Sequence, residues 1–291
     1  MWTMHPLPDF LGIGGQRCGS TWLHAMMRQS RQVWLPPVKE LHYFDGIQQP
    51  MQIGRRASGT LLLPIHVRRY VNFIRKPALE YVRDSLHFGA DVEFFARFAI
   101  PSTSLSWYGG LFAGARRRGL PCGDITPAYG VLPDADVHRI VSLQPNLKVL
   151  FLVRDPVARA WSHAMKDLAR AAKRRAADIP RQELESFFER SDFLKRCAYS
   201  EIYRRWSEAL PPGRVFVDRY EAVGEEPDQL LRRVFSFLDL DPSEVTQITG
   251  VTKRVNATHE SRQVPEPFAS MLAERLAPER AWMREHLRLD H

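Results

Sequence analysis

Apolar positions along this chain follow two alternating periods. Phe10-Leu11-Gly12-Ile13, Leu147-Lys148-Val149-Leu150-Phe151-Leu152-Val153 and Arg214-Val215-Phe216-Val217 are short, nearly unbroken apolar runs. Such runs predict strands covered on both faces, as in parallel sheets. Val33-Trp34-Leu35 is a fourth, shorter candidate strand. Between the runs, apolar residues recur at helical spacing. Trp22, Leu23, Met26 and Met27 form one such set, and helices are predicted over Pro133 to Leu143, Ala198 to Leu210 and Pro227 to Leu238. The last places Leu230, Leu231, Val234, Phe235 and Leu238 on one face. Strands alternating with helices predict an α/β fold, an open parallel sheet flanked by helices.

Residues 46–106 interrupt this alternation. Ile65 to Leu86 and Asp91 to Phe98 read as helical, with Pro64, Pro77 and Pro101 between and around them. The stretch is long for a connection, which predicts a helical lid or acceptor-site insertion in a single domain spanning 1–291. A purely structural decoration is the competing reading. Its aromatic residues (Tyr70, Phe73, Tyr81, Phe88, Phe94, Phe95, Phe98 and then Trp107) either line an apolar pocket or build a local core. Trp107 to Arg117 reads as one helix, Arg170 to Glu189 as a charged helical excursion, and two more helices close the chain.

Composition narrows the setting. With 44% hydrophobic residues, 291 residues suffice for a sizeable core. No apolar run approaches the ~18 residues of a membrane span. Met1 to Asp9 lacks the pattern of a secretory signal, so a cytoplasmic location is expected. Cys18, Cys122 and Cys197 are far apart, which suggests free thiols and shows no zinc spacing. The net charge of +8 points to an anionic partner. Its basic clusters, such as Arg116-Arg117-Arg118 and Lys173-Arg174-Arg175, are dispersed and form no nucleic-acid module, so most read as solvated helix faces, with an acidic lipid surface and an anionic small ligand both still open.

The first strand runs into Gly14-Gly15-Gln16-Arg17-Cys18-Gly19-Ser20-Thr21-Trp22, a glycine-rich turn entering a helix. Glycines let backbone N–H groups turn toward an anion, and the helix N-terminus adds partial positive charge. Gly14 and Gly19 have P-loop separation, but Ser20 occupies the lysine position and the nearest cation is Arg17. A helix N-terminus would make the Cys18 thiol more acidic. The plainer reading of Cys18 is a small residue beside a tight turn.

Two further constellations carry chemistry. In Val38-Lys39-Glu40-Leu41-His42-Tyr43-Phe44-Asp45, an extended backbone would point Glu40 and His42 the same way, with Asp45 nearby. A carboxylate beside an imidazole can hold and deprotonate a hydroxyl. The long buried strand delivers Arg154-Asp155-Pro156, where Asp155 suits an N-cap and Pro156 a first helical position. Arg154 then sits at the carboxyl end of a strand, where open α/β sheets bind ligands.

The loop, the Lys39–Asp45 stretch and Arg154 through Ser162, in that order, resemble the sulfotransferases that use 3′-phosphoadenosine 5′-phosphosulfate (PAPS). The closer likeness is to heparan-sulfate-type and related bacterial O-sulfotransferases. The resemblance covers roughly 8–45 and 107–262, and it implies a P-loop-like fold. It implies that Arg17, Cys18, Gly19, Ser20, Thr21 and Trp22 hold the 5′-phosphosulfate. Arg154 and Ser162 would hold the 3′-phosphate, with Arg254 closing over it. Glu40 would be the general base, supported by His42 and Asp45, and Arg17 would assist the leaving phosphate. Thr126-Pro127-Ala128-Tyr129 resembles a segment lining the acceptor cleft. Glycan-directed relatives carry a lysine just before that threonine, where this chain has Ile125.

The expected reaction is in-line transfer of a sulfuryl group from PAPS to an acceptor hydroxyl on a small molecule, lipid or carbohydrate, releasing 3′,5′-adenosine bisphosphate (PAP). A sulfuryl group bears less charge than a terminal phosphoryl, so no metal need bridge donor and leaving group. The alternatives are a degenerate P-loop kinase or NTPase, which predicts Mg²⁺-dependent ATP binding, and a non-catalytic binding protein on the same fold.

Overall fold

The computed structural model describes residues 7–46, 85–100, 102–170, 178–252 and 264–287. In chain order these form β1 (Phe10–Gly12), α1 (Ser20–Met27), α2 (Tyr43–Gly46), α3 (Phe88–Phe98), α4 (Leu105–Gly110), α5 (Ala113–Arg116) and β2 (Gly123–Ile125). There follow a 3-10 turn (Pro127–Val131), α6 (Asp134–Leu143), β3 (Lys148–Val153), α7 (Pro156–Ala164) and a π-helical continuation (Met165–Arg170). The chain goes on through α8 (Arg181–Glu189), α9 (Ser191–Lys195), α10 (Tyr199–Ala209), β4 (Val215–Arg219), α11 (Ala222–Glu225) and α12 (Pro227–Phe237). A 3-10 turn (Pro242–Gln247), α13 (Glu266–Arg275) and α14 (Ala277–His286) complete it.

The strands form one parallel sheet in the order β2-β1-β3-β4. Side chains alternate across it. Phe10, Ile125, Leu150 and Leu152 pack with α1 and the apolar face of α12 on one side. Leu11, Ile13, Val149, Phe151 and Val153 pack with α6, α10 and Met283 of α14 on the other. Both faces are thus covered, which is why the β3 run is almost wholly apolar. The chain leaves β1 for β2 on one side and returns for β3 on the other, so the strand order reverses between β1 and β3. Ligands of open α/β sheets bind beyond the carboxyl ends of such strands.

Some local expectations change. Val33-Trp34-Leu35 forms a single bridge, Trp34 to Cys122, and not a strand. The helix expected over Trp107 to Arg117 is broken into α4 and α5. Most of 46–106, with the helix expected over Ile65 to Leu86, lies outside the described residues. Where the insertion is described, Phe94, Phe98 and Trp107 are buried with Trp34 and Phe112, so these aromatics build a core. Asp91 of α3 is fully buried and accepts two hydrogen bonds from Arg28 at the end of α1, at 2.9 and 2.7 Å, and one from the Trp34 indole at 2.9 Å. A buried charge this well paired ties α3 to the helix that follows the phosphate loop.

His24, on the same face of α1, contacts the Pro36 carbonyl at 2.9 Å. Burial holds its imidazole neutral, with a pKa pushed down to about 3 from 6.5. Below pH 6.5 the unfolded chain takes up a proton that the folded chain refuses. Stability from His24 is therefore complete above about pH 6.5 and falls toward pH 3, by up to about 1.4 kcal/mol per pH unit. Urea titrations between pH 7.5 and 4.5 are expected to show a shallower acid loss in His24→Gln than in the wild type. Equal slopes would remove His24 from the acid response.

Candidate active site

The phosphate loop is positioned by main chain. Beyond β1, the Ile13 N–H donates to Leu150 O at 2.9 Å and the Gly15 N–H to Leu152 O at 3.0 Å. The loop therefore runs along β3, and a Cβ on Gly14 would lie 3.0 Å from the Leu152 nitrogen. Gly19 (φ 81°) is the N-cap of α1, a left-handed position that glycine adopts without strain. No side chain caps that first turn. The loop thus suits a phosphate, with the helix N–H groups aimed at it.

Arg17 is left-handed as well (φ 74°), and its Nε donates to Ser162 Oγ on α7 at 3.0 Å. The structure thus brings together two of the residues expected to bind donor. Cys18 turns inward. Its N–H donates to Gly15 O, and its thiol lies 3.7 Å from the Tyr199 hydroxyl. Burial pushes the thiol up to about 11, so the acidic thiol suggested by the helix N-terminus is not formed. Trp22 is buried, and its indole donates to Val251 O at 2.8 Å.

At the end of β3, the Asp155 carboxylate accepts from Ala158 N at 2.9 Å, capping α7 as expected. Its other oxygen accepts from Arg280 Nε at 2.8 Å. The Arg154 guanidinium lies over the Tyr220 ring, 4.9 Å from its centre, and the edge of that ring lies 2.8 Å from where a Gly19 Cβ would be. Arg154 and the start of α1 therefore flank one aromatic side chain. Arg254 lies outside the described residues.

The base segment is not extended. Glu40 (φ 59°) and His42 (φ 54°) are both left-handed, a costly backbone for residues with side chains. The trio nevertheless converges: His42 Nε2 is 3.6 Å from Glu40 Oε2, and His42 Nδ1 is 2.6 Å from Asp45 Oδ2. What holds this backbone lies behind it. The Tyr43 N–H donates to the Tyr129 hydroxyl at 3.0 Å, and the Tyr43 ring stacks on Tyr108 with centres 4.2 Å apart. Tyr108 and Tyr129 both donate to Asp124 Oδ2, at 3.0 and 2.8 Å, and Thr126 donates to Oδ1 at 2.8 Å. Asp124 is 1% exposed. Burial pushes its carboxyl up, and the three hydroxyl donors only partly offset this. The Thr126–Tyr129 segment is buried, and its Tyr129 hydroxyl lies behind the Glu40–Tyr43 backbone.

Sequence reasoning missed Lys39. Its ammonium donates to Ser20 Oγ at 3.0 Å, Thr21 Oγ1 at 3.1 Å and Glu40 Oε1 at 2.7 Å. A cation thus stands against the loop where a P-loop lysine would act, but it comes from another segment. The missing lysine at position 20 was the signal that could have prompted a search for it.

Two outcomes follow from this geometry. Tyr129→Phe leaves the Tyr43 N–H without its acceptor and Asp124 short of a donor, and is expected to cost about 1–3 kcal/mol in urea denaturation. An unchanged midpoint would mean that the brace is dispensable. All three cysteines are buried, with their thiols pushed up by desolvation. A thiol reagent at pH 8 is expected to label none of them until urea is added. Rapid labelling of one thiol in the folded protein would contradict this.

Comparisons with known proteins agree with the architecture. The profile described as "Sulfotransferase family" matches residues 8–244. The mouse (Mus musculus) protein heparan sulfate glucosamine 3-O-sulfotransferase 3B1 is 31% identical over 173 residues, covering 56% of this chain and 42% of its own length. The chain therefore matches less than half of that relative. A sulfotransferase structure from Alicyclobacillus acidocaldarius shares the fold with a TM-score of 0.58 at 18% identity, covering 98% of this chain and 97% of its own. The sulfotransferase domain of the curacin biosynthetic pathway does so with a TM-score of 0.54, also at 18% identity, covering 94% and 98%. Among the described residues, no helix is long and apolar enough to cross a membrane. With a family match over most of its length and a sheet that places the phosphate loop at the switch point, this chain belongs to the sulfotransferase family.

Proposed function

We propose that the protein transfers a sulfuryl group from PAPS to an acceptor hydroxyl, with Glu40 as general base. The observation that carries this reading is the contact of Lys39 with Ser20, Thr21 and Glu40 together. It sets a carboxylate one side chain away from an anion cradle, the separation that an in-line transfer between donor and acceptor requires.

In the proposed step the acceptor oxygen bonds to sulfur, and the sulfur–oxygen bond to the 5′-phosphate breaks. The acceptor proton passes to Glu40, and PAP leaves with one more negative charge on its 5′-phosphate, the sulfate's own charge going with the product. Positioned base catalysis is typically worth about 10²–10⁴-fold. Arg17 and the first-turn N–H groups of α1 face the charge developing on the leaving phosphate, and such donors contribute about 3 kcal/mol each. His42 sits between Glu40 and Asp45 and keeps the carboxylate oriented toward the acceptor. Arg154 and Ser162 hold the 3′-phosphate, and Arg254 closes over it. The acceptor is a hydroxyl on a small molecule, lipid or carbohydrate. The buried Thr126–Tyr129 segment and Ile125 supply none of the cationic groups that a sulfated polysaccharide would call for.

Calorimetry with PAP and with ATP, each with and without Mg²⁺, tests the donor site. PAP is expected to bind irrespective of metal, at least about tenfold weaker in Arg154→Ala. Mg²⁺-dependent ATP binding without PAP binding would transfer the loop to a kinase or NTPase. Using ³⁵S-labelled PAPS and a panel of phenolic, lipid and sugar hydroxyls, Glu40→Gln is expected to lose at least about 10²-fold in turnover. Undiminished transfer by that variant would remove Glu40 from the base role.

A further inference from the structure

Lys39 touches both halves of the site. Its Nζ donates to two loop hydroxyls and to the carboxylate of Glu40, with side-chain exposures of only 17% and 31% for the lysine and the glutamate. An ammonium has three N–H donors, and it spends them on contacts such as these. An anion arriving at the loop therefore draws on hydrogen bonds already committed to Ser20, Thr21 and Glu40. Glu40 accepts from the same ammonium at 2.7 Å. The two negative groups compete for one cation.

We propose that Lys39 is a donor-binding residue that couples donor occupancy to the base. Without donor, the ammonium is held by Glu40. When the phosphosulfate occupies the loop, the ammonium turns its donors to the 5′-phosphate oxygens and the Glu40 carboxylate is released toward the acceptor. Lys39 keeps its proton throughout, and the proton removed from the acceptor goes to Glu40. The base is thus withheld until a donor is present, which favours donor binding before acceptor. This inference rests on the sulfotransferase reading of the same loop.

The backbone supports such a division of roles. Glu40 is fixed in a left-handed conformation by the Tyr43–Tyr129 contact behind it, so the carboxylate stays in place when the lysine lets go. Lys39 has a four-carbon stem that can swing its ammonium without backbone movement. The Ser20 and Thr21 hydroxyls open α1, so an ammonium near them already lies beside the phosphate position defined by the helix N-terminus.

A thermodynamic cycle on PAP affinity tests this without an identified acceptor. Calorimetry is run on the wild type, Lys39→Met, Glu40→Gln and the double variant. Lys39→Met is expected to weaken PAP on the order of 10–100-fold, the loss of a charge-assisted hydrogen bond. Glu40→Gln is expected to tighten PAP by about tenfold when Lys39 is present, because the lysine no longer has to be taken from a carboxylate. In the Lys39→Met background the same change is expected to have at most a ~2-fold effect. Lys39→Arg keeps the charge and is expected to stay within about threefold of wild type, separating lost charge from lost folding when thermal midpoints are compared. Equal factors for Glu40→Gln in both backgrounds would overturn the coupling, since a simple field effect of the carboxylate is additive. Wild-type affinity in a folded Lys39→Met variant would overturn donor binding by Lys39. Failure of the wild type itself to bind PAP would overturn the sulfotransferase reading and this inference with it.

Discussion

The site depends first on a backbone contact. The loop after β1 does not swing free of the sheet. It continues to bond to β3 through the Ile13 and Gly15 N–H groups, and it can do so only because Gly14 presents no side chain to Leu152. That docking brings Arg17 against Ser162 of α7 and sets the start of α1 beside the end of β3. A loop held by main-chain bonds is already shaped for its ligand, so little ordering entropy is left for binding to oppose. Local side chains then need only decorate it.

A second dependence lies under the base. Glu40 and His42 both adopt backbone conformations that their side chains disfavour, and the surrounding structure has to overcome that preference. It does so through a neighbour that touches neither of them. Asp124, in the edge strand β2, collects three hydroxyls, and one of these also accepts the Tyr43 N–H. A carboxylate in so dry a place is tolerable only when its oxygens are occupied. Helix α4, at the end of the insertion, contributes to the same hub through Tyr108, so the Glu40 segment is braced jointly by the core and by α4. Residues that store strain cluster here: of the four non-glycine residues with positive φ among those described, three are Arg17, Glu40 and His42.

Much of this architecture was legible in order and period. The apolar runs located β1, β3 and β4, and the helices over Pro133 to Leu143, Ala198 to Leu210 and Pro227 to Leu238 were displaced by no more than a residue at either end. Asp155 capped its helix as its identity suggested. What sequence could not convey was tertiary. An extended backbone was the simplest way to align Glu40 with His42, yet the chain aligns them through two left-handed residues stabilised by Tyr129, far along the chain. Lys39 was passed over because its importance lies in what it reaches, and reach is not a local property. The sequence set an acidified Cys18 thiol against a small residue beside a tight turn, and burial beside Tyr199 beneath the loop favours the second. The aromatic residues of α3 and α4 were ambiguous by period alone, and burial resolved Phe94, Phe98, Trp107 and Tyr108 as core while Phe88 stays exposed.

Tyr220 supplies a further consequence. One face of the phenol ring carries the Arg154 guanidinium, and its edge presses on Gly19 at the start of α1. A rigid aromatic spacer thus sets the gap between two positively polarised elements, one a side chain and the other a helix terminus. Spacing fixed in this way acts as a caliper. Under the proposed donor reading, it would grade ligands by the distance between their anionic groups more than by total charge, so that a singly phosphorylated molecule and one carrying two well-separated phosphates would be distinguished by length before any base or sugar is recognised.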